Sequence, residues 1–219
     1  MVILYQDRRV LVCLKPPGVL STDEPGGMPE LLRAALGEEH GCVRTVHRLD
    51  RAVGGVMVFA RSRAAASLLS RQVRERQLEK EYLAVVRGGP ETETGVLTDL
   101  LGRDRTSRMT YVASAPGKGV QEASLSFRVL ERRAGESLLS VRLGTGRTHQ
   151  IRVQLASRGM PLLGDRKYGA GEADGCPVAL WSHRIGFFHP ETGAWMDFSA
   201  LPPAGAPWTD FPGWHRADQ

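Results

Sequence analysis

The densest chemical stretch in the chain is His47-Arg48-Leu49-Asp50, followed by Arg51-Ala52-Val53-Gly54-Gly55 and the apolar run Val56 to Ala60. It sets a carboxylate, two arginines and a histidine beside a glycine pair and a predicted strand. An aspartate just before a strand can be presented at the lip of a sheet, where it serves chemistry. An aspartate after Arg-Leu also suits a structural ion pair, and taken alone the stretch leaves both readings open. A second dense stretch is Gly144-Thr145-Gly146-Arg147-Thr148-His149-Gln150-Ile151-Arg152. Here a glycine turn opens a predicted helix over 147–158, with Ile151 and Leu155 four apart and Gly159 closing it. A helix start presents free N–H groups and a positive dipole end to anions. Arg147 and Arg152 add charge-assisted donors. An ordinary basic helix start reads the same way.

Other chemistries lose support on the same residues. His47, Asp50 and His149 form no H-E-x-x-H pattern, and the three cysteines, Cys13, Cys42 and Cys176, form no CxxC pair. Basic surroundings also disfavour a divalent cation, so no metal is expected. Neither a Walker loop nor a dinucleotide fingerprint is present, so no nucleotide cofactor is expected. There is no G-x-S-x-G elbow. Glycoside hydrolysis needs a second placed carboxylate, and none stands out.

The elements that must position these residues follow from patterning. Arg9 to Leu14 reads as a strand stopped by Lys15-Pro16-Pro17-Gly18. A short helix is predicted from Pro29 to Leu36, with Gly37 at its end. Ser62 caps an amphipathic helix from Arg63 to Gln77, with Ala65, Leu69 and Val73 at four-residue spacing and arginines on its outer side. Glu79 to Gly88 reads as a strand. Residues 89–106 read as irregular and polar, and Met109 to Val112 as a short strand. Gln121 to Glu131 alternates, with Ala123, Leu125, Phe127 and Val129 on one face, and pairs as a hairpin with Ser137 to Leu143. A glycine-rich connection over 160–177 precedes a strand from Val178 to Phe188. The turn His189 to Gly193 leads back into Trp195 to Phe198. The last twenty residues, with Trp208 and Trp214, read as a loosely packed proline-rich tail. The expected class is α+β with a mixed, largely antiparallel sheet.

The 219 residues fit one domain, with a core over about 3–200 and the tail at 201–219. Hydrophobic residues make up 42%, charged residues 24%, and no apolar run approaches the roughly 20 residues that span a bilayer. The N-terminus lacks a signal-peptide pattern, so a cytoplasmic protein is expected. The cysteines are read as free thiols of a reduced compartment. Net charge is +5, and arginine far outnumbers lysine. The pI is near 9.4. Such a surface attracts phosphate backbones, and arginine suits bidentate phosphate contacts.

His47-Arg48-Leu49-Asp50, Lys80-Glu81-Tyr82-Leu83-Ala84 and Gly146 to Arg152 resemble, in order and approximate separation, the three active-site motifs of the RluA-type RNA pseudouridine synthases. The resemblance extends through Leu14 to Gly18 and Gly164 to Gly169 and covers roughly 3–200. It implies a bent, mixed antiparallel sheet with flanking helices and a central RNA-binding cleft. It implies isomerisation of a flipped-out uridine in structured RNA, rRNA or tRNA, without cofactor, by a monomer. Asp50 matches the family's catalytic aspartate, whose proposed roles are attack on the nucleotide or proton abstraction from the sugar. Tyr82 matches the tyrosine packed against the base, and Arg152 the arginine that pairs with the aspartate. Ile151 matches an apolar pocket position, and Arg48 an arginine that probes the space left by the base. Arg147 and His149 match positions that bind backbone phosphate or support the fold. The family's usual Thr-Ser-Gly is replaced by Val53-Gly54-Gly55, and the extra glycine is expected to loosen the segment. No N-terminal S4-like RNA-binding module is expected. The rival reading is an RNA-binding or RNA-folding protein that keeps the fold but not useful catalysis. Replacement of Asp50, Tyr82 or Arg152 would favour that rival, and all three are present.

Overall fold

The structure, a computed structural model, describes residues 2–169 and 175–213. The chain divides into two compact units, one of residues 1–81 and 181–202, the other of residues 82–180 and 203–219. The observed class is mixed, mostly antiparallel sheet with few helices, as the patterning predicts. No helix among the described residues is long and apolar enough to cross a membrane. Cys13, Cys42 and Cys176 are free thiols.

In the first unit, β1 (Val2–Gln6) pairs antiparallel with β2 (Val10–Lys15). The helix α1 (Met28–Leu36) ends at Gly37 in the left-handed conformation, as its position past the last apolar residue requires. A two-residue strand β3 (Arg44–Thr45) and the fully buried β4 (Gly54–Ala60) follow. Ser62 caps α2 (Arg63–Arg74), its hydroxyl accepting from the Ala65 N–H at 3.1 Å. β2 and β4 form a six-residue antiparallel ladder from Val10↔Ala60 to Lys15↔Gly55. β1 is absent from the sequence reading because its apolar residues show no alternation. It is an edge strand with alternate residues exposed.

The core of this unit gathers Val10, Val12, Val56 and Val58 from the ladder and Ala65 and Leu69 from α2. Each large aliphatic side chain buried here contributes about 1.5–3 kcal/mol. Two later strands, β10 (Leu180–Phe188) and β11 (Trp195–Ser199), complete the unit and pair antiparallel. β10 meets β4 in parallel over two positions only, Trp181↔Gly54 and Ser182↔Gly55.

The boundary between the units falls within β5 (Glu79–Arg87). In the second unit the strand order is β5, β9, β8, β6, β7. β6 (Thr94–Arg103) corrects the expectation of an irregular stretch over 89–106. Gly95, Asp99 and Gly102 interrupt its pattern, and its stability comes from its neighbours. It pairs along eight positions with β8 (Gln121–Arg133), and with β7 (Thr110–Ala113). Its glycines lie under cross-strand aromatic rings. A Cβ at Gly95 would stand 2.6 Å from the Phe127 ring, and one at Gly102 would stand 2.5 Å from Tyr111. The glycines therefore let two rings lie down on the strand.

β8 turns through Ala134 and Gly135, both with positive φ, into β9 (Glu136–Leu143). The buried alternation of Ala123, Leu125, Phe127 and Val129 is as read from the sequence. A bulge between Val129 and Glu131 then brings Leu130 inside as well. α3 (Gln150–Ala156) begins three residues later than the sequence predicts. The described part of the C-terminal segment is also not loose. A short 3-10 turn over Trp208–Asp210 buries Trp208, and Phe211 is fully buried. Gly213 donates to Glu131 at 2.7 Å. The proline-rich composition conceals these two anchors. Trp214 and the rest of 214–219 lie outside the described residues.

Candidate active site

In the first unit, the segment from His47 to Asp50 lies in the connection from β3 to β4, and its burial alternates. His47 and Leu49 are buried, Arg48 is exposed and Asp50 is half-buried. The turn that carries Asp50 closes with the Val53 N–H on the Asp50 carbonyl at 3.0 Å. Both neighbours of Asp50 are clamped. The buried Ser21 hydroxyl donates to the Leu49 carbonyl at 2.9 Å and accepts the Leu49 N–H at 3.1 Å. The Arg51 carbonyl accepts from the Gly18 N–H at 2.7 Å and from Lys15 Nζ at 3.2 Å. The Arg51 side chain returns a bond from Nε to the Gly18 carbonyl at 2.8 Å. The Lys15-Pro16-Pro17-Gly18 stretch thus serves as a brace for the aspartate's turn. The Pro16 carbonyl also accepts Lys15 Nζ at 2.9 Å.

Lys15 is 0% exposed. Burial pushes its ammonium down to about 8, while the nearby negative charge of Asp50 works in the opposite direction. His47 is the opposite kind of group. Burial, reinforced by the Lys80 charge, drives its pKa to about 3, so the ring is neutral at physiological pH. Its Nε2 accepts the Val58 N–H at 3.2 Å, which assigns the proton to Nδ1 and fixes the ring against β4. Nδ1 has no hydrogen-bond partner among the described residues.

The glycine pair after Asp50 does not loosen the segment. Gly54 and Gly55 are buried in β4 at the parallel crossing with β10. A Cβ on Gly54 would come within 2.6 Å of Trp181 Cζ3 and 2.9 Å of Pro17 Cδ. Gly55 has φ +125°, and a Cβ there would meet the Ser182 backbone at 2.3 Å. Val53, where the family usually has threonine, is buried and presents no hydroxyl. Close packing therefore replaces the lost hydroxyls.

In the second unit, Tyr82 is buried on β5 next to the fully buried Leu83, Ala84, Val85 and Val86. The stretch from Gly144 to Arg152 is a self-capped turn rather than an open helix start. The Gln150 Oε1 accepts the Thr145 hydroxyl at 2.7 Å and the Arg147 N–H at 3.0 Å, and its Nε2 donates to Ser124 O at 2.9 Å. His149 sits at φ 54°, a left-handed break that forces α3 to begin at Gln150. The expectation of a helix running from Arg147 is corrected: the helix begins at Gln150, whose side chain takes the Arg147 N–H. Arg147 Nε donates to the Glu122 carbonyl at 3.0 Å, and His149 Nδ1 lies 2.7 Å from the Tyr168 hydroxyl. Ile151 and Arg152 are buried on α3.

Arg152 has a partner in this unit that sequence reasoning missed. Its Nε and Nη2 donate to the two Asp165 oxygens at 2.8 and 2.7 Å, with 6% and 3% of the two residues exposed. The guanidinium carbon lies 5.1 Å from the Tyr168 ring centroid. Burial alone would raise the Asp165 carboxyl. The Arg152 guanidinium and the Lys167 and Tyr168 N–H groups outweigh it and hold the carboxyl below its usual range. The sequence signal was the aspartate of Gly164-Asp165, whose side chain caps the next turn through Lys167 N at 3.0 Å and Tyr168 N at 3.2 Å. Lys15 and Ser21 were missed as well, since nothing local marks either as buried. Among the described residues, no cluster of histidine, cysteine, aspartate and glutamate is arranged to hold a metal ion.

Comparison with known proteins converges on one family. Residues 9–157 match the family model for RNA pseudouridylate synthase. The dual-specificity RNA pseudouridine synthase RluA of Escherichia coli K12 is 36% identical over 207 residues, covering 91% of this chain and 92% of that protein. RluA of Haemophilus influenzae is 35% identical over 209 residues, covering 90% and 91%. The RNA pseudouridine synthase YhcT of Bacillus subtilis is 36% identical over 198 residues, and the matched region spans 65% of its length. The solved structure of human RNA pseudouridylate synthase domain containing 1 superposes with a TM-score of 0.79 at 25% identity, covering 92% of this chain and 83% of that one. On this family match and these identities over most of both chains, the chain belongs to the RluA-type RNA pseudouridine synthases, a family of isomerases.

Proposed function

We propose that this chain isomerises uridine to pseudouridine in structured RNA, rRNA or tRNA, and that Asp50 is its catalytic carboxylate. The observation that carries the assignment is the brace around Asp50. Ser21 fixes the residue before it, Gly18 and Lys15 fix the residue after it, and a buried ammonium lies within its electrostatic reach. Such double anchoring is what a reacting carboxylate needs to keep one geometry.

In the proposed reaction the target uridine leaves its stack. The N1–C1′ bond breaks, the uracil turns, and C5 bonds to C1′. The proton on C5 passes to solvent and N1 gains one, so the composition of the RNA is unchanged. Asp50 acts at the sugar or base as nucleophile or base. Tyr82 stacks on the uracil, Arg152 serves as the active-site arginine with Asp165 aiming it, Ile151 is the apolar pocket residue, and Arg48 enters the space the base leaves. Arg147 and His149 hold the motif's turn. No cofactor takes part. We read residues 1–219 as one catalytic domain, because the family match at 9–157 runs through both units. Monomeric action in the cytoplasm completes the reading.

The test uses RNA labelled with tritium at uridine C5, since pseudouridine formation releases that label to water. Release by the unaltered protein and none by Asp50→Ala supports the proposal. No release from any rRNA or tRNA pool sinks it.

A further inference from the structure

In the second unit, the β6–β7 turn carries a feature outside the active-site motifs. Arg103, at the end of β6, Arg105 and Arg108 in the turn to β7, and Lys118 beyond β7 line one open cavity of about 760 Å³ with Tyr111 and Gly119. No carboxylate lines it. Asp104 lies between two of these arginines, but its oxygens are taken by the Thr106 N–H at 2.8 Å and the Ser107 hydroxyl at 2.6 Å. Those bonds hold the Asp104 carboxyl below its usual range and keep it ionised, so one negative charge stands among four positive ones and the surface stays net positive. Three arginines and a lysine brought this close repel one another, a cost that a multivalent anion relieves.

The cavity is built to keep its shape. The Asp104 N–H donates to the Met109 carbonyl at 2.9 Å across the turn. Arg108 is held at φ 55°, a left-handed conformation that a non-glycine residue keeps only when its surroundings insist. Those surroundings are visible. Lys167 Nζ donates to the Arg108 carbonyl at 2.7 Å, and the Thr110 N–H donates to the Tyr168 hydroxyl at 2.9 Å. The Thr110 hydroxyl donates to the Thr148 carbonyl at 3.0 Å. The basic turn is thereby tied to the loop that holds Asp165 against Arg152.

Tyr111 supplies the second, independent observation. Its ring lies over Gly102, where a Cβ would stand 2.5 Å away, so the strand is cut back to let the ring lie flat. The residue remains 47% exposed. Tyr111 thus lines the cavity beside the cations, with its ring against Gly102 and nearly half of the residue open to solvent. An aromatic face next to cations that track a phosphate backbone is the combination that grips single-stranded nucleic acid. A duplex would engage the cations but keep its bases stacked out of the ring's reach.

We propose that Arg103, Arg105, Arg108, Lys118 and Tyr111 form a second RNA contact, which holds a single-stranded stretch with its phosphates on the cations and one base on the Tyr111 ring. The inference rests on the reading of this protein as acting on RNA and assigns it a docking site for a loop or overhang beside the target.

The experiment measures fluorescence anisotropy of the full chain with a labelled single-stranded oligouridylate of about 12 nucleotides and a duplex RNA of matching length, over a salt series. The R105A/R108N/K118A variant uses asparagine at 108 because that residue tolerates the left-handed backbone. It is expected to weaken single-strand binding at least tenfold at low salt. It should also reduce the log–log salt slope by about two, at roughly 0.7 for each phosphate no longer neutralised. Tyr111→Ala is expected to weaken single-strand binding by roughly 5- to 100-fold, to leave the slope and the duplex affinity unchanged, and to be rescued by Tyr111→Phe. Unaltered affinity and slope in the triple variant overturn the proposal. A Tyr111→Ala effect that is absent, equal for duplex, or not rescued by phenylalanine overturns it too. Tritium release is followed in parallel. Its absence in the unaltered protein counts against pseudouridine formation alone, whereas normal release with unaltered binding in every variant counts against this second RNA site alone.

Discussion

Restoring the family's usual residue at position 54 is expected to damage this protein. Gly54→Ser places a Cβ 2.6 Å from Trp181 Cζ3, 2.9 Å from Pro17 Cδ and 3.1 Å from the Lys15 carbonyl. The first approach is about 1 Å inside optimal carbon–carbon separation. None of the three neighbours is free to swing aside. The Trp181 indole N–H is tied to the Ala200 carbonyl at 2.8 Å, and Lys15 and Pro17 belong to the brace under Asp50. Overpacking of this kind costs about 1–3 kcal/mol. At roughly 2–4 °C per kcal/mol for a chain of this size, the melting temperature should fall by roughly 2–12 °C. Far-UV circular dichroism on heating, with urea unfolding beside it, reads the change. Trp181→Leu alone leaves a void and is also destabilising. Combined with Gly54→Ser, the void receives the new side chain. The double variant should then be more stable than the sum of the two losses by about 0.5–3 kcal/mol. Gly54→Ser melting within about 1 °C of the unaltered protein, or strict additivity of the pair, refutes the argument that packing against Trp181 demands the glycine.

Asp165→Ala leaves the buried Arg152 guanidinium without its bidentate partner and should cost about 3–5 kcal/mol by urea unfolding, most of it regained in an Arg152→Met/Asp165→Leu double variant that is catalytically dead. Ser21→Ala removes both bonds that clamp Leu49. It should lower kcat for tritium release more than it raises KM, with about 1–2 kcal/mol of stability lost, and an unchanged kcat would deny Ser21 a positioning role. The pH dependence of stability isolates His47, whose folded pKa near 3 lies below the unfolded value near 6.5. The unfolded chain therefore takes up a proton that the folded one refuses. Stability is fully present above pH 6.5 and is lost as pH falls toward 3, at up to roughly 1.36 kcal/mol per unit. His47→Gln should flatten the melting temperature between pH 6.5 and 4.5, a window above the range of the lowered carboxylates Asp7, Asp99 and Asp165.

Local patterning alone determined much of this protein. Four-residue spacing and Ser62 marked α2, strict alternation marked β8, and the apolar run after Asp50 marked β4, because each is a one-element property with a fixed period. The motifs around Asp50, Tyr82 and Arg152 carried the family. What the sequence did not show is what depends on a neighbour. β6 is a strand because β8 and β7 pair with it and two aromatic rings fill its glycines. Gly54 is required by Trp181, more than a hundred positions away. Gln150 closes its own turn only because Thr145 and Ser124 stand where they do. Asp165, Ser21 and Lys15 acquire roles through burial, which turns an ordinary carboxylate, hydroxyl and ammonium into an aiming bond, a clamp and a brace. Residue type sets what a side chain can do, and only the tertiary fold, by removing water and supplying one partner, decides which of those things it does.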